Sequence, residues 1–532
     1  MDEPAVFPAE ADPISALRGM MPGLALRTED LGLFATDIFY VAENPPLAVA
    51  TPRSVEEVRG LVGAARALHL SLSTRGAGLS YSAGYIPADG RTVVVDMTDM
   101  DRIVEINRAD RYVVVEPGVT WAALHEALRE SGLTTPFWGT FSGLNATIGA
   151  SLAQGAKFYG SGHRGTSAES VLGLKVVTGT GEMVVTGSGA TMSAPSPFFR
   201  NYGPDLAGIF LGDCGAFGIK VEATLQLIPA AGAVETCSYS FDDPAALLRT
   251  MGQVGAEMLA TECLASDPFT AQSRMASQGL RADLAVLGTV IRGAGSLPSG
   301  LFDAAQIALS GRRFAKRMGY LMNCIVEGRD RGDAASRMRR IRRIAADAGG
   351  KRMPASVPKV MRAMPFGRMN GLLTPSAKRM NWLHTVLPIS RVVEGFAATE
   401  AAFADHAGAM KAHGIDRGYL LSAHGPTGVG IETLLRWSDA PLPIHTHFLT
   451  EAERAGLRAR KDNPAARVVV SALSADIVGR WAGLGGVHMQ IGRKYPYFAT
   501  RVPATGELLV ALKRVLDPDG VINPHNLLPP PG

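Results

Sequence analysis

No run of about 18 apolar residues occurs in the 532-residue chain, so a membrane-spanning helix is not expected. Cysteine is scarce. Cys214, Cys237, Cys263 and Cys324 are the whole complement, they lie far apart, and none forms a C-x-x-C pair. That pattern argues against a cysteine-built zinc site and against a disulfide framework, and it favours a reducing, cytoplasmic setting. The opening Met1-Asp2-Glu3-Pro4 is acidic and lacks a basic stretch followed by an apolar one, so no secretory signal is expected. Charged residues make up only 19% of the chain, with a net charge of +4. No nucleic-acid motif, internal repeat or low-complexity segment accompanies them.

Two nucleotide-binding signatures are also missing. A glycine turn, Ser73-Thr74-Arg75-Gly76-Ala77-Gly78-Leu79-Ser80-Tyr81-Ser82, follows a short β-rich run at 70–74. Tyr81 stands where a third glycine of G-x-G-x-x-G would be, and no helical pattern follows directly, so this is not a Rossmann turn. No Gly-Lys-Ser/Thr occurs, so it is not a P-loop. The turn does have glycines and hydroxyls that let backbone N–H groups close around a pyrophosphate.

What the chain has in quantity is core-forming material, at 46% hydrophobic, and 60 glycines clustered in loops. Its length suits two large domains or three small ones. Residues 1–44 read as an irregular or partly helical arm. Then come a strand at 47–50, a capping box at Ser54–Glu57 opening a helix to about Leu68, and strands at 70–74, 92–96, 103–107 and 112–116. Thr120 caps a helix to about Ser131, and a glycine-rich stretch spans 139–166. A hairpin joins 173–178 to 183–185 through Gly179-Thr180-Gly181-Glu182. From Ala233 the pattern becomes an antiparallel sheet with helices: strand 320–327, helix 334–349, helix 392–413, and strands 419–424 and 431–437. The region from Arg312 to Arg368 is strongly basic, with arginines on the solvated face of an amphipathic helix. A tail helix ends at Asp517-Pro518-Asp519-Gly520.

Four segments together resemble the vanillyl-alcohol-oxidase/p-cresol-methylhydroxylase type of FAD-linked oxidoreductase, which includes glycolate oxidase and D-lactate dehydrogenase flavoproteins. They are Arg75–Ser82, then Thr147–Ala150 through Lys157–Gly160 into Val171–Val177, then Asp205–Thr224, and finally Leu516–Pro524. The resemblance implies an α+β protein with a PCMH-type FAD-binding domain of two α/β subdomains and an α+β cap carrying an antiparallel sheet. The boundaries it suggests are an arm at 1–44, the FAD domain at 45–232, the cap at 233–495, and a return to the FAD domain at 496–532. Implied cofactor contacts are Arg75, Gly76, Ala77, Gly78, Leu79, Ser80, Tyr81 and Ser82 of the turn. Pro117, Gly118, Thr147, Gly149, Ala150, Gly155, Tyr159 and Gly160 join them, with Gly212, Gly215, Gly218, Ile219, Val221 and Asn523.

Departures from the family sharpen the expectation. The turn holds no histidine, and Val429-Gly430 stand where aromatic-alcohol oxidases carry a tethering histidine, so FAD is expected to be non-covalent. The phenolate-binding Tyr-Arg pair is replaced by 485–495, and Ser422-Ala423-His424-Gly425 lacks the glutamate of a metal-binding context, so no metal is expected. For catalysis, alternation over 487–491 predicts a strand with His488 and Gln490 on one face, His488 acting as base or substrate hydrogen-bonder. Arg493, Lys494, Tyr495 and Tyr497 follow, a cation there being able to hold a carboxylate. His445 and His447 read as cap-lining residues on one strand face. Tyr81, Lys157, Tyr159 and His163 are candidates for approaching the flavin, and Glu432 and Arg436 share a strand face.

The reading is an FAD-dependent oxidase or dehydrogenase acting on an organic alcohol, hydroxy acid or aromatic side chain by hydride transfer to flavin N5. Electrons pass to oxygen or a carrier. The alternative is a flavoprotein subunit of a larger electron-transfer complex, docking an acidic partner or an anionic membrane surface through 312–368. No nucleic-acid partner is expected, and a homodimer is left open.

Overall fold

The computed structural model describes residues 12–193, 196–270, 319–368, 378–457 and 460–529. The part of the basic region at 312–318 lies outside these.

The alternating β and helical patterns near the start build a four-stranded sheet in the order Ala25–Arg27, Ala48–Thr51, Thr92–Asp96, Ser71–Arg75. Its last three strands are parallel, joined by the helix Val55–Ala67. Ser54 Oγ caps that helix by accepting the Glu57 N–H at 3.1 Å. The reciprocal bond slips one residue, because the Glu57 carboxylate accepts from Arg53 N–H at 2.7 Å. Val58, Leu61, Val62 and Ala65 recur at helical spacing and are fully buried against the sheet; each fully buried Val or Leu side chain stabilises the fold by about 1.5–3 kcal/mol. The edge strand Ala25–Arg27 comes from the first 44 residues, which are thus partly built into the sheet.

A second, antiparallel sheet has the order Ile103–Asn107, Tyr112–Val115, Ile219–Gln226, Val171–Val177, Met183–Val185, and contains the expected hairpin. Between these sheets the glycine-rich stretch is not loop throughout. Ile148–Gln154 is a helix, ended by Gly155 in the left-handed region at φ 62°.

From Ala233 onward one seven-stranded antiparallel sheet dominates, in the order Lys351–Met353, Ala233–Phe241, Tyr320–Gly328, Glu262–Ser266, Asp416–His424, Gly428–Ser438, Lys378–Pro388. Period-two alternation decides its two faces. Tyr419, Leu421, Ala423, Val429, Ile431, Leu435, Leu383 and Leu387 pack in the core with helices Pro244–Ala256, Arg331–Asp347, Val392–Asp405 and Pro464–Gly483. Trp382, Leu420 and Glu432 alternate with these and belong to the opposite face. The helix expected over 392–413 is two helices, broken at His406 into Val392–Asp405 and Ala407–Ala412.

The C-terminal segment returns to the first sheet. Leu72 N–H donates to Val521 O at 2.7 Å, and Asn523 N–H donates to Leu72 O at 2.8 Å, flanking a parallel bridge at Ile522. Asp517 sets this geometry. Its two oxygens accept from Val521 N–H and Ile522 N–H, both at 2.9 Å, and one is 2.6 Å from Lys513 Nζ. Asp517→Ala would leave a mostly buried ammonium and two buried N–H groups without these partners. It should cost on the order of 3–5 kcal/mol in chemical denaturation; a loss under about 1 kcal/mol would contradict this role.

Candidate active site

Strand Ser71–Arg75 delivers the glycine turn to one wall of a cavity of about 350 Å³. Arg75 does not point into open space. Its guanidinium lies 4.7 Å from the Phe34 ring centre and 5.7 Å from that of Tyr85, and 3.7 Å from Asp96. The turn folds over it. A Cβ at Gly78, where φ is +73°, would lie 2.6 Å from the guanidinium carbon, so only glycine fits there. Tyr85 O–H donates to Gly78 O at 2.6 Å and fixes the same turn.

Against this turn packs the start of helix Ile148–Gln154. A Cβ at Gly76 would lie 2.9 Å from Ala150 Cβ, and one at Gly149 would lie 2.5 Å from Pro117 Cβ. Three chain segments therefore meet at backbone contact. The side of Gly215 is closed by Asn523, whose Nδ2 donates to Gly215 O at 2.9 Å and to Thr74 Oγ1 at 3.2 Å.

The other end of the cavity is the inner face of the seven-stranded sheet, presenting Trp382, Leu420 and Glu432, with Phe141, Phe158 and Met361 beside them. Leu420 and Glu432 are directly opposed across adjacent strands, as are His384 and Glu432 on the other side. Lys157, just after Gly155 and Ala156, reaches across and forms an ion pair with Glu432; both side chains are over 90% buried. Gln490 hydrogen-bonds the Tyr81 hydroxyl, and burial holds that phenol well above its usual pKa.

Of the residues expected around a cofactor, Arg75, Gly76, Ala77, Gly78, Leu79, Ser80, Tyr81, Pro117, Thr147, Gly149, Ala150, Gly215, Gly218 and Ile219 line the cavity. Ser82, Gly118, Gly155, Tyr159, Gly160, Gly212, Val221 and Asn523 stand outside its lining. Two of them act one layer back: Tyr159 stacks on Trp138 at 4.3 Å and donates to Pro365 O, and Asn523 holds Thr74 and Gly215.

The catalytic expectations need larger corrections. Residues 487–491 are not a strand; a single bridge at Val487 is followed by bends, and Gln490 has φ +50°. Gln490 alone of the four candidates lines the cavity. His488 turns away, its Nδ1 bonded to His384 O at 2.7 Å and its ring stacked on Tyr495 at 4.0 Å. The Tyr495 hydroxyl accepts from His384 N–H at 2.9 Å and lies 3.0 Å from its Nδ1. Arg493 donates to the carbonyls of Ala83 and Ile86, pinning the chain after the turn. His445 and His447 lie on a short helix, Pro443–His447. His445 accepts from Leu442 N–H and bonds Ile38 O, both at 2.9 Å, a structural role. Glu432 pairs with Lys157, while Arg436 lies over the Phe269 ring at 4.3 Å.

Three of the six arginines of the basic helix Arg331–Asp347 are paired within the chain. Arg337 pairs with Asp333, Arg340 with Glu257 and Arg342 with Glu235, and beyond the helix Arg362 pairs with Glu327.

Residues 46–187 match the model of an FAD-binding domain. That stretch is similar to the FAD-binding domains of the p-cresol-methylhydroxylase type. Among curated proteins it is similar to a D-2-hydroxyglutarate dehydrogenase of Xanthomonas citri pv. viticola, 33% identical over 234 residues, covering 43% of this chain and 48% of that one. It is also similar to the glycolate oxidase subunit GlcD of Escherichia coli strain K12, 29% identical over 232 residues, 43% of this chain and 44% of that one. The matches thus span about half the length of these curated relatives. Across nearly the whole chain the fold matches p-cresol methylhydroxylase with substrate bound (TM-score 0.72, 16% identity, 97% of this chain and 96% of that one). It likewise matches 4-ethylphenol oxidase from Gulosibacter chungangensis (TM-score 0.72, 17% identity, 98% and 97%).

The cavity suits FAD by its own chemistry. Thr147 Oγ1 faces it, buried and without a hydrogen-bond partner, beside the glycine turn. All eleven histidines fall among the described residues, and none lines the cavity. Two of them instead govern stability. Burial holds His163 and His445 down at about 4, against 6.5 for an exposed imidazole. Between pH 6.5 and 4 the unfolded chain therefore binds more protons, and stability present above that window is lost as pH falls through it. Each histidine should contribute on the order of 2–3 kcal/mol to this loss. Chemical denaturation at pH 7 and pH 4.5 should show the drop, and His445→Gln should make it shallower; equal stability at both pH values would refute it.

Proposed function

We propose that this chain is an FAD-dependent oxidoreductase that oxidises a CH–OH carbon of an alcohol or hydroxy acid. One observation carries the reading: a single cavity joins a turn of phosphate-binding character to an apolar end that holds one buried carboxylate, Glu432. The names of the relatives, dehydrogenases and an oxidase of 2-hydroxy acids, support the reaction class.

Bound here, FAD supplies the hydride acceptor. The chain's part is to bind, orient and move one proton. Backbone N–H groups of 76–80 and the hydroxyls of Ser80 and Thr147 are placed to hold the diphosphate. Every described cation lining the cavity already has a carboxylate partner, so these neutral donors carry that task. Trp382, Leu420, Phe141, Phe158 and Met361 exclude water from the reacting end. Tyr81 and Gln490, hydrogen-bonded to each other, offer polar groups to orient the substrate oxygen. Among the described lining residues Glu432 is the only carboxylate, and it is the group we assign to take the hydroxyl proton as the hydride leaves carbon. The product is the carbonyl compound. The absence of histidine from the described cavity wall supports a non-covalently held flavin.

The purified protein should be yellow, and acid precipitation should release the colour to the supernatant. Colour retained in the pellet would refute non-covalent binding, and a colourless protein that takes up no added FAD would refute the reading. Gly76→Val, crowded against Ala150, should weaken FAD binding about tenfold or more. Glu432→Gln should keep the flavin and lower kcat by about 10²-fold or more; an unchanged rate would remove Glu432 from the proton-transfer role.

A further inference from the structure

Among the described residues three cationic side chains line the cavity, and each is matched by a carboxylate of the same chain. Arg75 lies 3.7 Å from Asp96 beneath the turn, and Lys220 Nζ lies 2.6 Å from Asp213 Oδ1 with both side chains almost fully buried. Among the described residues the only cation at the reacting end is Lys157, and it is paired with Glu432. The neighbouring cations are engaged as well. Lys494 Nζ donates to Asn381 Oδ1 at 2.8 Å, to Tyr81 O at 3.3 Å and to Trp382 O, and Arg493 is held by the carbonyls of Ala83 and Ile86.

We propose that the substrate of this site is an uncharged alcohol, and that Glu432, by neutralising Lys157, excludes carboxylate-bearing hydroxy acids. The inference rests on the FAD-dependent reading above and narrows its substrate class. A substrate carboxylate entering here would leave water for a wall of Trp382, Leu420, Phe158 and Met361. Among the described residues it would gain no free cation, and it would sit beside the Glu432 carboxylate. Burying an unpaired charge is costly, and a like charge a few ångströms away raises the cost. A hydroxyl group meets neither penalty, since Tyr81, Gln490 and Glu432 offer hydrogen-bond partners. The site thus departs in charge from what the names of its hydroxy-acid relatives lead one to expect.

The test uses the FAD-loaded full chain. Acetate, propionate and benzoate are titrated against the flavin absorbance band and by calorimetry, with benzamide as the uncharged control. In the wild type each carboxylate should bind weakly, in the tens of millimolar or above by the affinity scale. Glu432→Gln leaves Lys157 unpaired, and at least one carboxylate should then bind roughly tenfold tighter or better. Lys157→Met/Glu432→Gln, neutral and without a buried lone charge, should lose that gain. Submillimolar carboxylate binding to the wild type, or no gain for any carboxylate in Glu432→Gln, overturns the proposal. Should Glu432→Gln fail to hold flavin, the wild type decides by anaerobic bleaching with benzyl alcohol, 1-butanol, glycolate, D-lactate and D-2-hydroxyglutarate. Bleaching by any hydroxy acid at least as fast as by the alcohols overturns the proposal but leaves the flavin reading standing, and bleaching led by an alcohol supports it. If none bleaches, submillimolar binding of glycolate or D-lactate to the wild type overturns it and weaker binding supports it. A chain that binds no FAD fails the earlier reading instead.

Discussion

The cavity depends on a short contact between distant parts of the chain: the strand carrying the glycine turn is clasped from behind by residues 521–523. Leu72 exchanges backbone hydrogen bonds with both Val521 and Asn523, and Asn523 then reaches Thr74 and Gly215. A turn of this kind binds an anion only if its N–H groups are held pointing inward, because an unrestrained glycine loop loses much conformational freedom on ordering. The C-terminal clasp, the Arg75 guanidinium under Gly78 and the Tyr85 bond to Gly78 O supply that restraint from three sides. None of them needs to touch the ligand.

The electrostatic plan follows from the same economy of contacts. Cations near the cavity serve the fold: Arg75 supports the turn, Lys220 joins Asp213, and Lys157 joins Glu432. A flavin diphosphate placed here would meet oriented dipoles rather than opposing full charges. Dipoles held in place by surrounding packing act at short range and, unlike exposed charges, are little screened by salt. Among the described residues the polarity of the reacting end is carried by the Lys157–Glu432 ion pair, Tyr81 and Gln490.

Much of this was legible in the sequence because it is local. Gly76, Gly78, Ser80 and Tyr81 announce a turn, the Ser54–Glu57 spacing announces a helix start, and the alternations at 419–424 and 431–437 announce strands of the antiparallel sheet. What failed was local pattern without local cause. Residues 487–491 alternate like a strand, yet only Val487 pairs, with Val386, and Gly492 N–H is drawn instead to the Cys214 sulfur at 3.1 Å. His445 and His447 read as strand residues, but Pro443 sits at the first turn of a short helix that His445 caps through its own ring.

The Lys157–Glu432 pair shows why a site can be invisible while its parts are not. Glu432 is the only charged residue in the mostly apolar run Gly428 to Leu435, and that oddity is readable. Its partner was not, because Lys157 belongs to a separate glycine-rich segment and meets it only when the inner face of the seven-stranded sheet closes on the first half of the chain. Register makes the meeting specific. Ile431 and Thr433 flank Glu432, and a one-residue slip would carry Ile431 to the cavity and Glu432 into the helix-covered core. The hydrophobic pattern that buries Val429, Ile431 and Leu435 therefore also fixes where the carboxylate stands, so the packing of the far face determines the chemistry of the near one.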